Sequence, residues 1–329
     1  MANIVILGSG GFGLSLAVMA ERYGHKVTVW SKFQSEIDEI RAHGEHVQKL
    51  PGVPVSEKIG LTSDISCVSG CDMLIFGIPS TFLRSVAKEA KEFISDKTVI
   101  VNTGKGLEDK TLKLLSVVLT EELETDKIVT LSGPSHAEEI ARFIPTTIVA
   151  ASKNKEAAAY VQNTLCNEAF RIYLSDDVIG CEIGGALKNI IALSAGICDG
   201  LGYGDNTKAA LMTRGIHEIT RLGTAMGAQA QTFSGLTGLG DLIVTCTSMH
   251  SRNRRAGMLI GQGVSPEEAV EKVGTVEGYH CCKTAYALAK QLNVEMPITE
   301  ELYNILFCGA SSKQSLSKLM GRPQIYEVI

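Results

Sequence analysis

Ile4-Val5-Ile6-Leu7-Gly8-Ser9-Gly10-Gly11-Phe12-Gly13-Leu14 decides how this chain is read. Four apolar residues run straight into GxGxxG, and residues 14–23 then carry helical spacing. A second apolar run, residues 27–30, ends on Trp30. GxGxxG alone is weak, but strand, glycine turn, helix and second strand in succession mark the start of a dinucleotide-binding βαβ unit. Gly8 permits the tight turn and Gly10 lets the backbone approach a pyrophosphate. Gly13 lets the helix pack close on the strand, with its N-terminal N–H groups facing the anion. The expected ligand is a nicotinamide dinucleotide. At the end of the second strand an Asp or Glu would bind the ribose hydroxyls of NAD and repel a 2′-phosphate. Ser31 and Lys32 stand there instead. A hydroxyl and a cation suit NADP(H), with NAD(H) left open.

Outward from this start, short apolar runs at 73–78, 98–102, 128–132, 147–150 and 171–174 read as further strands. Segments with helical spacing, such as 82–93, lie between them. Strands alternating with helices imply a mostly parallel sheet covered on both faces. After about residue 180 the pattern changes. Residues 181–198, 208–226, 266–273, 283–292 and 299–307 have helical length and periodicity without strands between them. Ser265, Pro266 and Glu268 supply an N-cap, a first-turn proline and a capping-box acid. The expected architecture is an α/β, Rossmann-like doubly wound domain over 1–180, followed by an all-α domain over 181–329.

Composition bounds the rest. The chain has 329 residues, 45% hydrophobic and 20% charged, with a net charge of −5, which fits an ordinary globular protein. That charge argues against a nucleic-acid partner, which would need a broad basic surface. An anionic small substrate stays open, because a few local cations can hold one. Residues 4–7 lack a preceding basic segment, so they do not read as a signal peptide. No uninterrupted apolar stretch reaches the roughly 18 residues of a membrane span. The nine cysteines are irregularly placed, so reduced thiols and a cytoplasmic location are expected. His280-Cys281-Cys282 and the pair His43 and His46 lack paired metal-ligand spacing, and no metal site is expected. Gly104-Lys105-Gly106 fails as a phosphate loop, since Val99 stands where the first glycine belongs and Gly106 where Ser or Thr belongs. No GxSxG is present.

Five polar features fall at strand ends or turns. Asn102-Thr103-Gly104-Lys105-Gly106 and Gly133-Pro134-Ser135-His136-Ala137 each follow a strand, on the edge where an open parallel sheet binds ligands. Lys188 is the third. Helical spacing puts it beside Gly184, Gly185, Ile191, Ala192 and Ala195, so its stem is expected to be buried. Burial pushes an ammonium toward neutrality and suits general acid–base work. The fourth is Asp241, a carboxylate in Gly238-Leu239-Gly240-Asp241-Leu242. The fifth, Ser251-Arg252-Asn253-Arg254-Arg255, offers a hydroxyl, guanidinium and amide as a phosphate grip.

Taken together these blocks resemble the bacterial-type NAD(P)-dependent glycerol-3-phosphate dehydrogenases from end to end. The likeness adds Ile78-Pro79-Ser80, Lys105-Gly106-Leu107-Glu108, Ala186-Leu187-Lys188-Asn189-Ile190, Asn206 with Thr213-Arg214-Gly215, Thr237-Gly238-Leu239-Gly240-Asp241-Leu242 and Val276-Glu277-Gly278. The resemblance implies reversible hydride transfer between sn-glycerol 3-phosphate and dihydroxyacetone phosphate, supplying glycerol 3-phosphate for glycerophospholipid synthesis. It implies Lys188 as proton acceptor, and Lys105, Gly133, Ser135, Asp241, Ser251, Arg252 and Asn253 as substrate positions. It implies Gly11, Phe12, Lys32, Lys105, Ala137, Arg252 and Glu277 as cofactor positions, and a homodimer. Two departures stand out. Gly11-Phe12 replaces the family's frequent Ser-Trp, and Gly104 reads as an insertion before Lys105. The alternative is a related two-domain dehydrogenase of a β-hydroxy acid or sugar acid, which would recognise a carboxylate.

Overall fold

Alternate residues of the first strand, β1 (Asn3–Leu7), feed two different cores. Ile4 and Ile6 join Leu14, Leu16, Val27, Val29 and Ile75 on one face. Val5 and Leu7 join Trp30, Leu74, Phe76 and Leu83 on the other. Successive strand side chains point to opposite faces, so a continuous apolar run can only be buried by covering both. The structure, a computed structural model, describes residues 1–324, Tyr326 and Glu327.

The chain continues through α1 (Gly11–Arg22), β2 (Lys26–Trp30), α2 (Gln34–His43), β3 (Gly60–Thr62), β4 (Met73–Phe76), α3 (Leu83–Ala90) and β5 (Val99–Asn102). Then come α4 (Leu115–Leu123), β6 (Ile128–Ser132), α5 (Ala137–Ala141), β7 (Thr146–Ala151), α6 (Lys155–Leu165) and β8 (Phe170–Ser175). The strands form one eight-stranded sheet in the order β3-β2-β1-β4-β5-β6-β7-β8. Every pairing is parallel except β6 with β7, which is antiparallel. The order reverses between β1 and β4, and at such a switch point a crevice opens beyond the strand C-termini.

Local differences from expectation have local causes. The fourth strand stops at Phe76, because Gly77 and Ile78 turn out of the sheet toward α1. The helix expected over 82–93 is α3 with a 3₁₀ turn at either end. Periodicity passes over α2, whose only buried residues are Ile37 and Ile40, and over the three-residue edge strand β3.

The second unit is helical: α7 (Val178–Gly200), α8 (Asp205–Ala225), α9 (Asp241–Thr247), α10 (Arg252–Gly261), α11 (Pro266–Val273), α12 (Glu277–Gln291), α13 (Pro297–Phe307) and α14 (Ser312–Met320). Contacts group Met1–Lys105 with Lys113–Val178, and Gly106–Leu112 with the residues from Ile179 on. The Gly106–Leu112 stretch is tied there by the Thr284 hydroxyl, which donates to Asp109 at 3.2 Å. Ser265 caps α11 by accepting from the Glu268 amide. By length and composition α7 could cross a bilayer, but 89% of its most apolar window is buried inside the protein. It is the core helix of its unit.

Two glycines a turn apart on α7 and two on α10 let these helices touch backbone to backbone. A methyl on Gly196 or Gly200 would run into the Arg254 or Met258 carbonyl oxygen. One on Gly257 or Gly261 would meet the carbonyl oxygens of Leu193 and Ile197. This contact fixes the start of α10 beside the middle of α7.

Candidate active site

In the first unit the site grows from the β1–α1 turn. Gly8 has φ 124°, and a Cβ there would run into the Gly77 backbone after β4. A Cβ on Gly13 would strike the Gly8 carbonyl oxygen, so helix and turn are in direct contact. At Gly10 the nearest atom to an added Cβ is 4.0 Å away, which leaves open space in front of the turn. No side chain caps α1 and its first turn carries no acid. Open space before an uncapped helix start, with no competing carboxylate in that turn, fits a pyrophosphate.

The expected cofactor residues are partly gathered here. A Cβ on Gly11 would lie 3.6 Å from Ala137, which opens α5, and 2.6 Å from the Lys49 carbonyl oxygen. Phe12 packs against the core of its unit. Lys32 is exposed and its ammonium lies 3.2 Å from Glu89. Ser31 is buried, and its hydroxyl donates to Glu36 at 2.7 Å. Glu36 also accepts from the Ser9 hydroxyl, and from Lys49 at 2.5 Å. Burial pushes its carboxyl up, but the bonds from Lys49, Ser9 and Ser31 outweigh that and hold it at about 2. Glu36, Lys49 and Ser9 were not sequence candidates, because Glu36 lies beyond the strand end where such an acid is sought.

Beyond β5 and β6 the polar turns converge. The Lys105 ammonium donates to the Gly133 carbonyl at 3.0 Å, and the Ser135 hydroxyl donates to the same oxygen at 2.8 Å. Gly104 is held by the Asn102 side chain, which accepts from its amide at 3.0 Å. With Gly104 so held, Lys105 is aimed at Gly133.

In the second unit Lys188 sits in the middle of α7, 6% exposed. Its ammonium donates to Asp241 Oδ1 at 2.5 Å and to Thr245 Oγ1 at 2.7 Å. Gly184, one turn earlier, explains how Asp241 gets there. A Cβ at that position would collide with the Thr237 carbonyl, so the absence of one admits the Leu236–Gly240 turn against α7. That turn is wound with an i+5 bond, Gly240 amide to Gly235 carbonyl at 3.1 Å, and delivers Asp241 to the start of α9. Wide turns of this kind recur at functional sites. Asp241 is 1% exposed, and a carboxylate so buried needs the cation opposite it. Thr245 was not a sequence candidate, although it lies one helical turn after Asp241 on the same face.

Ser251, Arg252 and Asn253 open α10. The Ser251 hydroxyl caps the helix by accepting from the Arg254 amide at 3.2 Å. Arg252 is exposed, whereas Arg254 is committed to Asp199 at 2.8 Å. Asn253 is buried and its amide faces inward: Nδ2 donates to Asn189 at 2.9 Å and Oδ1 accepts from the Gly278 amide at 2.8 Å. Asn189 in turn donates to Glu277 at 3.3 Å. Lys188 and Asn189 thus tie α7 to α9, α10 and α12. Among the described residues no group of three or more His, Cys, Asp or Glu side chains could hold a metal ion.

Residues 3–158 match the family model for the N-terminus of NAD-dependent glycerol-3-phosphate dehydrogenase, and residues 177–317 match that for its C-terminus. The glycerol-3-phosphate dehydrogenase (NAD(P)+) of Fusobacterium nucleatum is 49% identical over 332 aligned residues, spanning 100% of this chain and 99% of that protein. The chain belongs to the NAD-dependent glycerol-3-phosphate dehydrogenase family. Its relative in Clostridium perfringens is 47% identical, with both chains covered in full. Among solved structures, glycerol-3-phosphate dehydrogenase from Coxiella burnetii superposes with a TM-score of 0.94 at 37% identity, covering 98% of this chain and 99% of that one. The doubly wound sheet and following helical unit are therefore the architecture of this dehydrogenase family.

Proposed function

We propose that this chain catalyses reversible hydride transfer between a nicotinamide cofactor and sn-glycerol 3-phosphate, interconverting it with dihydroxyacetone phosphate. In the cell it supplies glycerol 3-phosphate for glycerophospholipid synthesis, as a cytoplasmic homodimer. The observation that carries the reading is the buried Lys188 ammonium held by Asp241 and Thr245. The first unit is the cofactor domain and the second the substrate domain.

When bound, NADP(H) or NAD(H) supplies or takes up the hydride. Gly8, Gly10, Gly11, Phe12 and Gly13 cradle its pyrophosphate, with Lys32, Lys105, Ala137, Arg252 and Glu277 as further contacts. In the reductive direction Lys188 donates a hydrogen bond to the C2 carbonyl oxygen and passes a proton to it as alkoxide charge develops. Asp241 offsets the cost of burying the ammonium and, with Thr245, fixes its direction. Arg252, at the start of α10, takes the phosphate, where guanidinium and helix dipole act together. Ser251 and Asn253 hold that helix start in place, and Asn253 keeps a second amide hydrogen for the substrate. Lys105, Gly133 and Ser135 complete the substrate contacts. Phosphate binding energy then serves to position C2. A hydroxy-acid dehydrogenase is less well supported, because relatives named for glycerol 3-phosphate match the chain from end to end.

Lys188→Ala tests the reading. Turnover of dihydroxyacetone phosphate with NADPH should fall about 100-fold or more, with dinucleotide affinity near wild type. Wild-type kcat in that variant would refute the role.

A further inference from the structure

The corner between the glycine turn and the end of β2 holds a carboxylate that the strand sequence does not announce. Glu36, in the first turn of α2, reaches back to accept from the hydroxyls of Ser9 and Ser31 and from the Lys49 ammonium. Ser9 stands between the first two glycines of the turn, and Ser31 immediately follows β2. Both serines are almost fully buried, whereas the Glu36 side chain keeps 21% of its surface exposed. In doubly wound dinucleotide folds this corner receives the adenosine ribose.

We propose that Glu36 is a specificity-determining residue for the cofactor: its carboxylate accepts the adenosine ribose diol and opposes a 2′-phosphate. The inference rests on the dinucleotide reading above and goes beyond it by naming the residue that sets the choice.

Acceptor capacity and charge carry it. An ionised carboxylate has about four acceptor positions, and the two serines and Lys49 are three donors. A ribose hydroxyl can take the remaining position or replace a serine donor, since serine hydroxyls rotate freely to other acceptors. A 2′-phosphate brings about −1.5 to −2 of charge and no comparable donor, so it meets repulsion instead.

The cations nearby do not cancel this. Lys49 is committed to Glu36 and Lys32 to Glu89, so the corner holds two ammonium groups balanced by two carboxylates. A neutral diol suits that balance better than a dianion.

The backbone around Lys49 also fixes the arrangement. Its carbonyl oxygen stands 2.6 Å from where a Cβ on Gly11 would be. The segment bearing Lys49 is thus seated on the glycine turn, and Gly11 is what makes room for it. Lys32, which a strand-end reading would credit with selecting NADP(H), is here opposed by the Glu36 carboxylate, which is bonded to the glycine turn through Ser9.

Titration calorimetry with ADP-ribose and 2′-phospho-ADP-ribose tests the proposal on the full chain, independently of turnover. The variants are Glu36→Gln, which keeps an acceptor for both serines, and Lys49→Met, which leaves Glu36 in place without its counter-charge. Glu36→Gln should move the ratio of the two affinities toward the phosphorylated fragment by on the order of tenfold. Lys49→Met should move it the opposite way by roughly threefold or more. If both affinities change by one common factor, Glu36 merely props the glycine turn and the proposal is overturned. Unchanged ratios in both variants overturn it too, and if Glu36→Gln does not fold, the Lys49→Met ratio decides. A wild type that binds neither fragment overturns the dinucleotide reading and this inference with it.

Discussion

Lys188 and Arg252 divide the second unit's chemistry between a buried cation and an exposed one. Lys188 is gripped by Asp241 and Thr245, so its position is set by the protein before any substrate arrives. Arg252 is exposed at a capped helix start, where the proposed function gives it the substrate phosphate. Arg252→Ala should therefore raise the KM for dihydroxyacetone phosphate about ten- to hundredfold, the worth of one or two charge-assisted hydrogen bonds, with a much smaller change in kcat. Steady-state kinetics at saturating NADPH would check this, and an unchanged KM would remove Arg252 from the phosphate site. Lys188 itself could be singled out in the sequence because small and apolar residues surround it at helical spacing. Its partner could not be placed, since Asp241 lies 53 residues away and no periodicity links the two. Glu36 was hidden for a related reason: it acts on β2 from the following helix.

At the scale of elements, glycine contacts decide where these side chains meet. The α7–α10 contact leaves no space for a β-carbon, so Gly257→Val should destabilise the protein by about 3 kcal/mol through overpacking. Urea denaturation would show the loss as a lower midpoint, and a wild-type midpoint would mean the helices are not in backbone contact. A second element-scale device joins α8 to α13. Glu218 accepts from the Ile298 amide at 2.6 Å, and from the Thr299 amide and hydroxyl at 3.2 Å each, capping a helix remote in sequence. Burial pushes its carboxyl up to about 7 despite those bonds. The folded state then holds this proton more tightly than the unfolded state does. Stability from Glu218 is full below about pH 4.5 and is lost as pH rises through 7, by on the order of 3 kcal/mol. Glu218→Gln should flatten that part of the stability–pH curve. An unchanged slope would show that Glu218 is not the group responsible. The strands and long helices were legible because burial repeats along them. The wide turn before α9, the short helix α2 and the antiparallel β6–β7 pairing were not, because tertiary contacts rather than local periodicity produce them.

For the whole molecule, the sequence reads as an α/β unit followed by a helical unit, and the structure has both. The family match covers both. The glycine turn indicates a dinucleotide but says nothing about substrate. The buried Lys188–Asp241 pair proposed for proton transfer and the Arg252 proposed for the phosphate belong to the helical unit. A net charge of −5 does not conflict with an anionic substrate, because a few local cations can hold one. The proposed function requires reduction of dihydroxyacetone phosphate rather than of a carboxylate-bearing ketone. The most direct test is kcat/KM with NADPH for dihydroxyacetone phosphate beside an unphosphorylated 3-oxo acid. The phosphorylated ketone should be preferred by roughly 1000-fold or more, since the oxo acid loses the phosphate contacts and the positioning they provide together. Equal or better turnover of the oxo acid would contradict it.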